Sequence, residues 1–357
     1  MTTTSAEGGA SRPTLRIDLE AVRANWRLFA SLGPEAGATI KADAYGLGAA
    51  RIGTALHAEG CRSFFVAQPQ EGAQLRAALS EDATITVYNG PTSDTIDLFL
   101  ANNLRPALNA PRQIDIWRSA GGGPCALHVD TGMNRLGLTA EEARQLAGST
   151  HGLDLKLVMS HLASADLPDH EMNLRQLRLF QELAALFPGV PRSLANSAGA
   201  LLGPDYQFEL SRPGIGLYGG QPRSPGGAPI RPVATICAPI IATRRVSAGD
   251  TVGYGAAFTA PSTMTIAIIA LGYADGLIRA ASPGAYGIVA GKPAPLVGRI
   301  SMDLTALDVT GLESHAIPGS YIEFLGESLD SFADAAGTIS YEVLTRLGQR
   351  FARVYVE

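Results

Sequence analysis

"ATIKADAYGLGAA", residues 38–50, is the stretch on which the fold of this 357-residue chain turns. Ala38, Thr39 and Ile40 are small or β-branched and read as a buried strand, which ends in Lys41. A Tyr-Gly-Leu-Gly turn follows, and then residues 50–58 with helical period. An unpaired ammonium is costly beside a buried strand, so something must use that amine.

Working outward, residues 38 to about 216 alternate short apolar runs with amphipathic stretches. The spacing predicts strands at 38–41, 63–67, 84–88, 104–108, 126–130, 155–161, 193–196 and 208–212. Helical patterns lie between them at 50–58, 71–79, 96–101, 140–147 and 171–187. The last carries Leu174, Leu177, Phe180, Leu183, Ala184 and Phe187 on one face. Eight βα units in series predict an α/β fold, a (β/α)8 TIM-type barrel. A doubly wound sheet fits less well, because no GxGxxG follows the first strand.

The pattern changes at "GGQPRSPGGAPIRP", residues 219–232, where Gly and Pro prevent any regular element. Beyond it, β-rich segments at 233–246, 265–271, 286–289, 306–309, 321–325 and 350–356 predict a mostly β C-terminal domain. The expected organisation is a floppy tail at 1–14, a barrel at 15–225 and the β-rich domain at 226–357. Residues 15–18 are strand-like, stand outside the count of eight, and could pair with either domain.

A formal charge of −5 leaves no cationic surplus for a phosphate backbone, which argues against nucleic acid. Cys61, Cys125 and Cys237 are odd in number and far apart, so neither a disulfide framework nor a metal cluster is indicated. "DLPDHE", 166–171, reads as a helix start and not as a metal site. No basic-then-apolar leader and no membrane-length run is present, and the expected location is the cytoplasm, with no membrane partner.

Catalytic groups in such barrels come from the C-terminal ends of strands and the loops that follow. Lys41, Arg135, His161, Asn196, Ser197 and Arg212 all fall there. "ANSAGA" and "SRPGIGLYG" follow strands seven and eight and offer an amide, a hydroxyl and backbone N–H groups near Gly214 and Ile215 for an anion. A lysine across the mouth from a phosphate cradle suggests pyridoxal 5'-phosphate, whose aldehyde condenses with a deprotonated lysine amine. Singly these residues are ordinary: a strand-terminal lysine is usually a surface charge. Their joint occurrence at one barrel face is what carries weight.

"IKADAYGLG", "HVDTGMNRLG", "SHLASAD", "ANSAG", "RPGIGLYG", "VGYGAAF", "LGYADG" and "GRISMD" occur in the order and at about the spacing of the alanine racemase family of fold-type III pyridoxal-phosphate enzymes. The chain resembles a full-length member. The resemblance implies that Lys41 carries the cofactor and is one of two catalytic bases, with Tyr45 on the cofactor phosphate. It places Arg135 on the substrate carboxylate, His161 against the pyridine ring and orienting Arg212, and Arg212 at the pyridine nitrogen. Asn196, Ser197, Gly214, Ile215 and Tyr341 would hold the phosphate. Tyr254 would be the opposite base, and Tyr273 and Met302 would shape substrate access. These three would serve the partner's barrel in a homodimer with shared active sites. The implied activity is L-alanine/D-alanine racemisation supplying D-alanine for peptidoglycan.

Two bases from different domains suit a reaction that removes a proton from one face and returns it on the other. Lysine and tyrosine both start near pKa 10 and must be shifted downward to serve as bases at neutral pH. An arginine at the pyridine nitrogen leaves it unprotonated and restrains the electron sink. In many family members a carbamylated lysine stands where this chain has His128, so another group must support Arg135. Ser301 stands where cysteine is frequent. The alternatives are a racemase of serine or of a broader set of small amino acids, and a pyridoxal-phosphate carrier barrel without turnover.

Overall fold

Parallel pairing in chain order is what an alternation of buried runs and amphipathic helices produces, because each crossover helix covers the strand pair it connects. The computed structural model describes residues 12–222 and 228–357. It divides into a unit at 22–230 and a second formed by residues before 22 together with 231–357. The expected tail lies outside the described residues as far as residue 11, and the expected boundary at 225/226 lies outside them entirely.

Strand β1, Thr14–Asp18, precedes the barrel unit. The barrel is built from β2 (Ala38–Thr39), β3 (Ser63–Val66), β4 (Thr84–Val87), β5 (Leu104–Leu108), β6 (Pro124–His128), β7 (Asp154–Met159) and β8 (Arg192–Ser193), each beside the next. These seven are parallel. The expected eighth strand at 208–212 is not regular. Phe208 has φ +49°, and Pro213 has no N–H to continue a ladder. The segment still closes the ring through backbone bonds on both flanks. Leu210 N–H donates to Arg192 C=O (3.2 Å) and Arg212 N–H to Ala195 C=O (2.8 Å). On the other side Ser211 N–H donates to Glu35 C=O (2.9 Å) and Thr39 N–H to Pro213 C=O (2.8 Å). Phe65, Ala107, Ala126, Leu157, Met159 and Leu210 form a buried cluster of this unit.

Helices Ala49–Glu59, Pro69–Arg76, Ile96–Ala101, Ala140–Ala147 and Glu171–Ala184 fall where their periodicity predicts, and Pro111–Ser119, with a proline in its first turn, adds another. Helix Glu171–Ala184 differs from its expected face. Leu174 is 47% exposed, whereas Asn173 and Gln176 are buried beside Leu177, Phe180 and Leu183. His170 caps this helix by accepting the Met172 N–H at 3.1 Å, so "DLPDHE" does start a helix.

The β-rich unit contains β9 (Ala234–Val246), β10 (Thr251–Val252), β11 (Phe258–Thr259), β12 (Met264–Ile269), β13 (Tyr286–Val289), β14 (Lys292–Val297), β15 (Thr305–Asp308), β16 (Tyr321–Leu325) and β17 (Ala352–Val356). β9 pairs with β16 through its first half and with β12 through its second. The ring β9-β12-β15-β14-β13-β16 therefore closes as a six-stranded antiparallel barrel. β1 pairs with β9 and β17 in this unit, so residues 15–18 do not belong with the parallel strands. The reason is visible in its burial: Leu15 and Ile17 are buried and alternate with exposed Arg16, the signature of a sheet covered on one face only, and β1 runs antiparallel to β9 and parallel to β17.

Candidate active site

Lys41 begins a turn directly after the two-residue strand β2, where an extension of the strand was expected. Ala42, Asp43, Ala44 and Tyr45 all have φ between 51° and 54° and ψ between 39° and 49°, one turn of left-handed helix. That conformation costs an L-residue about 1–2 kcal/mol each, so the surroundings must hold it. Ala44 N–H donates to Ile40 C=O (3.0 Å) and Gly48 N–H to Asp43 C=O (2.9 Å). Ala49 N–H donates to the Asp43 carboxylate and Ala42 N–H to the Glu71 carboxylate, both at 2.7 Å. The turn swings Tyr45 inward, edge-on to Tyr218 with ring centroids 4.7 Å apart. Burial, and then the Arg135 charge, hold the Lys41 amine below the usual lysine range, with Glu71 opposing. A larger share of that amine is therefore unprotonated near neutrality.

The two loops after β8 and after the closing segment meet. Ser197 Oγ accepts from Gly214 N–H (2.8 Å) and Gly216 N–H (3.3 Å), and Asn196 Oδ1 accepts from Gly199 N–H (2.8 Å). A Cβ at Gly214 would stand 2.5 Å from the Tyr45 hydroxyl, so only glycine permits this approach. Ile215 opens a short 3-10 turn, Ile215–Tyr218. Tyr45, Ser197, Gly214 and Ile215, all read from sequence as phosphate contacts, are thus one neighbourhood.

Arg212 is 2% exposed. Its Nη1 donates to Ser193 Oγ and its Nη2 to Ser160 C=O at 2.5 Å. The Tyr88 hydroxyl lies 3.1 Å from Thr39 Oγ1, which donates to Arg212 C=O at 3.2 Å. Tyr88 also stacks on Phe65 at 5.5 Å, and Lys41 Nζ lies 6.0 Å from its ring centre. The hydrogen bonds that the structure gives the guanidinium are to Ser193 and Ser160; His161, expected to orient it, feels it through charge. Burial, then Arg212, Arg135, His128 and Lys41, push His161 well below the usual histidine range, so it is neutral. Tyr88 had no place in the sequence reading beyond ending a strand; a tyrosine at a strand's C-terminal end was the only available signal.

Arg135 is exposed on the loop after β6. Asp130 Oδ1 accepts Gly132 N–H (2.9 Å) and Asn134 N–H (3.2 Å), and Leu138 N–H returns to His128 C=O (2.8 Å). Gly137, at φ +112°, would put a Cβ 2.7 Å from Asp130 N, which explains its place in "DTGMNRLG". His128 is buried and hydrogen-bonded through Nδ1 to Asn109 Oδ1 at 2.7 Å. Burial first, then Arg212, lower its pKa to about 4. Gln176 Nε2 donates to His161 C=O (2.8 Å) and Thr131 Oγ1 (3.1 Å), while its Oε1 accepts Ala163 N–H (2.8 Å). One buried amide thus ties together the loops of Arg135 and His161.

On the β-rich unit, Tyr254, Tyr273 and Met302 are 71%, 41% and 54% exposed. Tyr254 opens a 3-10 turn after Gly253 (φ +78°). Tyr273 N–H donates to Ser301 C=O (3.0 Å) and Ala274 N–H to Met302 C=O (2.9 Å), so these two loops are one structure. Tyr341 lies in helix Ser340–Thr345 and is 39% exposed.

Pyridoxal phosphate can be tested against the barrel residues. Arg212 Nε is buried with no hydrogen-bond partner, a donor that suits a ring nitrogen acceptor. The absence of a side chain at Gly214 lets the Tyr45 hydroxyl, a donor that suits an anion, come up against the loop, and the Lys41 amine is depressed as its condensation requires. The residues fit.

Residues 17–222 match the alanine racemase N-terminal domain family, and residues 233–355 match the alanine racemase C-terminal domain family. The chain is 47% identical to the alanine racemase of Rhodospirillum rubrum over 96% of this chain and 95% of that protein. It is 46% identical to that of a Methylobacterium species over the full length of both. Among solved structures, alanine racemase from Bartonella henselae with covalently bound pyridoxal phosphate superposes with a TM-score of 0.91 at 36% identity, covering 97% of this chain and all of that one. The biosynthetic alanine racemase of Pseudomonas aeruginosa gives 0.91 at 34% identity, covering 98% of this chain and all of that one. With both domains matched in order and the polar residues gathered at one barrel mouth, the chain belongs to the alanine racemase family.

Proposed function

We propose that this protein is a pyridoxal-phosphate-dependent alanine racemase that interconverts L- and D-alanine and so supplies D-alanine for peptidoglycan. The observation that carries the reading is the pairing of a depressed Lys41 amine with the partnerless, buried Arg212 Nε at one barrel mouth.

Lys41 would bear the cofactor, Tyr45, Ser197, Gly214 and Ile215 its phosphate, with Asn196 shaping the loop, and Arg212 its ring nitrogen. When bound, the cofactor withdraws electron density from the substrate α-carbon and acidifies its proton. Lys41 Nζ holds or releases the proton on one face, and the Tyr254 hydroxyl does so on the other. Arg135 binds the substrate carboxylate with its charge, and the neutral His161 and His128 leave that charge uncancelled. Arg212, whose guanidinium stays protonated, donates from Nε without giving up its proton. We assign Tyr254, Tyr273 and Met302 to the barrel of a second copy in a homodimer; their exposure supports this. The phosphate role of Tyr341 rests on the family resemblance alone. Among the described residues no helix is long and apolar enough to cross a membrane.

Polarimetry of L-alanine with the purified protein and pyridoxal phosphate tests the reading. Rotation decays to zero, faster than for L-serine, and Lys41→Ala abolishes the decay. Equal or faster decay for serine moves the substrate; no decay for either, with cofactor bound, leaves the carrier reading.

A further inference from the structure

Lys41 is carried on a left-handed turn whose local bonds, Ala44 N–H to Ile40 C=O and Gly48 N–H to Asp43 C=O, leave its first N–H to a distant partner. The first left-handed residue, Ala42, has its N–H held by a side chain 29 residues away, Glu71 Oε1, at 2.7 Å. The other oxygen of the same carboxylate accepts Ala67 N–H (2.8 Å) and Gln68 N–H (3.0 Å), closing the N-terminus of helix Pro69–Arg76. One carboxylate therefore joins three N–H groups on two separate βα loops, those after β2 and β3. A glutamate at the third position of a helix is common as a cap. The same role is filled at helix Ala140–Ala147 by Glu142, which accepts Thr139 N–H at 2.8 Å. Glu71 differs in that its second oxygen leaves its own helix and takes the backbone of the residue after Lys41.

We propose that Glu71 is a positioning residue for Lys41: it fixes the start of the left-handed turn, and so the direction of the lysine side chain, from the neighbouring βα loop. The inference rests on the reading of Lys41 as the cofactor-bearing amine. Geometry and charge act together here. Glu71 faces Lys41 from helix Pro69–Arg76, Arg135 from the loop after β6, the neutral Tyr88 ring from the end of β4, and the neutral His161 from the loop after β7. Of the charged groups, Glu71 raises the lysine pKa and Arg135 lowers it. A glutamine at 71 keeps the size but loses the charge, and its amide nitrogen cannot accept, so one of the two loops is released.

The test compares wild type, Glu71→Gln, Glu71→Asp and the cap-only control Glu142→Gln. The apoprotein is labelled with a trace amine-reactive reagent across pH, and Lys41 modification is read by mass spectrometry. Pyridoxal phosphate affinity, kcat and KM for L-alanine, and urea midpoints are measured alongside. Glu71→Gln moves the Lys41 labelling midpoint to lower pH, weakens cofactor affinity at least tenfold and lowers kcat at least tenfold, with KM within threefold. Glu71→Asp, which keeps the charge on a shorter stem, recovers the labelling midpoint in part. Glu142→Gln changes none of the Lys41 readouts. An unchanged Lys41 titration and kcat in Glu71→Gln overturn the inference, and so does an effect confined to the urea midpoint, which would make Glu71 a helix cap only. Failure of the wild type to bind cofactor or racemise alanine instead removes the functional reading itself.

Discussion

His128 donates its Nδ1–H to Asn109 Oδ1 across 2.7 Å, a direction set by the Asn109 amide nitrogen, which already donates to the carbonyls of Tyr88 and Ala107 at 2.9 Å each. The imidazole is thereby held as the Nδ1–H tautomer with Nε2 as its lone-pair nitrogen. This neutral group stands at the position where the family resemblance leads one to expect a carbamylated lysine.

Its buried, neutral state predicts a pH dependence. The folded pKa of about 4 lies below the ordinary value of 6.5, so the unfolded chain binds the extra proton between them. The stabilisation is complete above pH 6.5 and is lost as pH falls towards 4, roughly 3 kcal/mol in all. Urea midpoints for wild type should fall across that window, and those of His128→Gln should fall less. Equal slopes would mean that His128 is not the group titrating.

Tyr88→Phe keeps the ring that faces Lys41 and stacks on Phe65 but removes the hydroxyl that meets Thr39 Oγ1, which itself donates to Arg212 C=O. Losing one neutral hydrogen bond costs about 0.5–1.5 kcal/mol. The expected result is pyridoxal phosphate binding weakened up to about tenfold, with the fold intact, measured by absorbance titration. Unaltered affinity would show that Ser193 and Ser160 suffice to hold Arg212.

Gln176→Leu fills nearly the same volume and strands two groups at once, Ala163 N–H and His161 C=O, while Thr131 Oγ1 keeps its Ser160 partner at 2.8 Å. Leaving buried polar groups without partners costs about 1–3 kcal/mol each, so a loss of several kcal/mol in chemical denaturation is expected. Gln176→Glu should retain the Ala163 bond and lose the two donated ones, and fall between leucine and wild type. A stability ordering that does not follow this sequence would remove the network role.

Tyr254→Phe should separate the two faces of the reaction. Loss of a positioned general base lowers kcat about 10²–10⁴-fold. In deuterated water, ¹H NMR should show one alanine enantiomer still exchanging its α-proton through Lys41 while the other stops, with cofactor affinity within twofold of wild type. Exchange of both enantiomers at the wild-type rate would exclude Tyr254 as the second base.

Much of the barrel follows from runs such as "FFV" at 64–66 and "ITV" at 85–87, because a strand buried on both faces is continuously apolar and that signal is local. β14, with Pro293 and Pro295, shows the limit: proline argues against a strand, yet antiparallel pairing with β13 holds it there. Helix Glu171–Ala184 shows another. Apolar spacing alone put Leu174 inside, whereas Gln176, completely buried, lies inward because distant loops supply its hydrogen bonds.

Sequence by itself determined that Lys41 ends a buried run, that Arg135, His161, Asn196 and Ser197 follow successive strands, and that a β-rich unit comes after them. Those properties depend on composition and order over a few residues. Only the tertiary structure decided that β1 joins the β-rich unit, that residues 208–212 close the ring without forming a strand, and that Lys41 rides a left-handed turn. It alone also revealed Glu71, Tyr88, Asn109 and Gln176 around the site. Each acts through a hydrogen bond to a group far along the chain, 29 residues for Glu71 and Ala42 and 45 for Gln176 and Thr131. Such bonds carry no periodic trace in sequence, since they become possible only when packing brings two loops within 3 Å and excludes the water that would otherwise satisfy both.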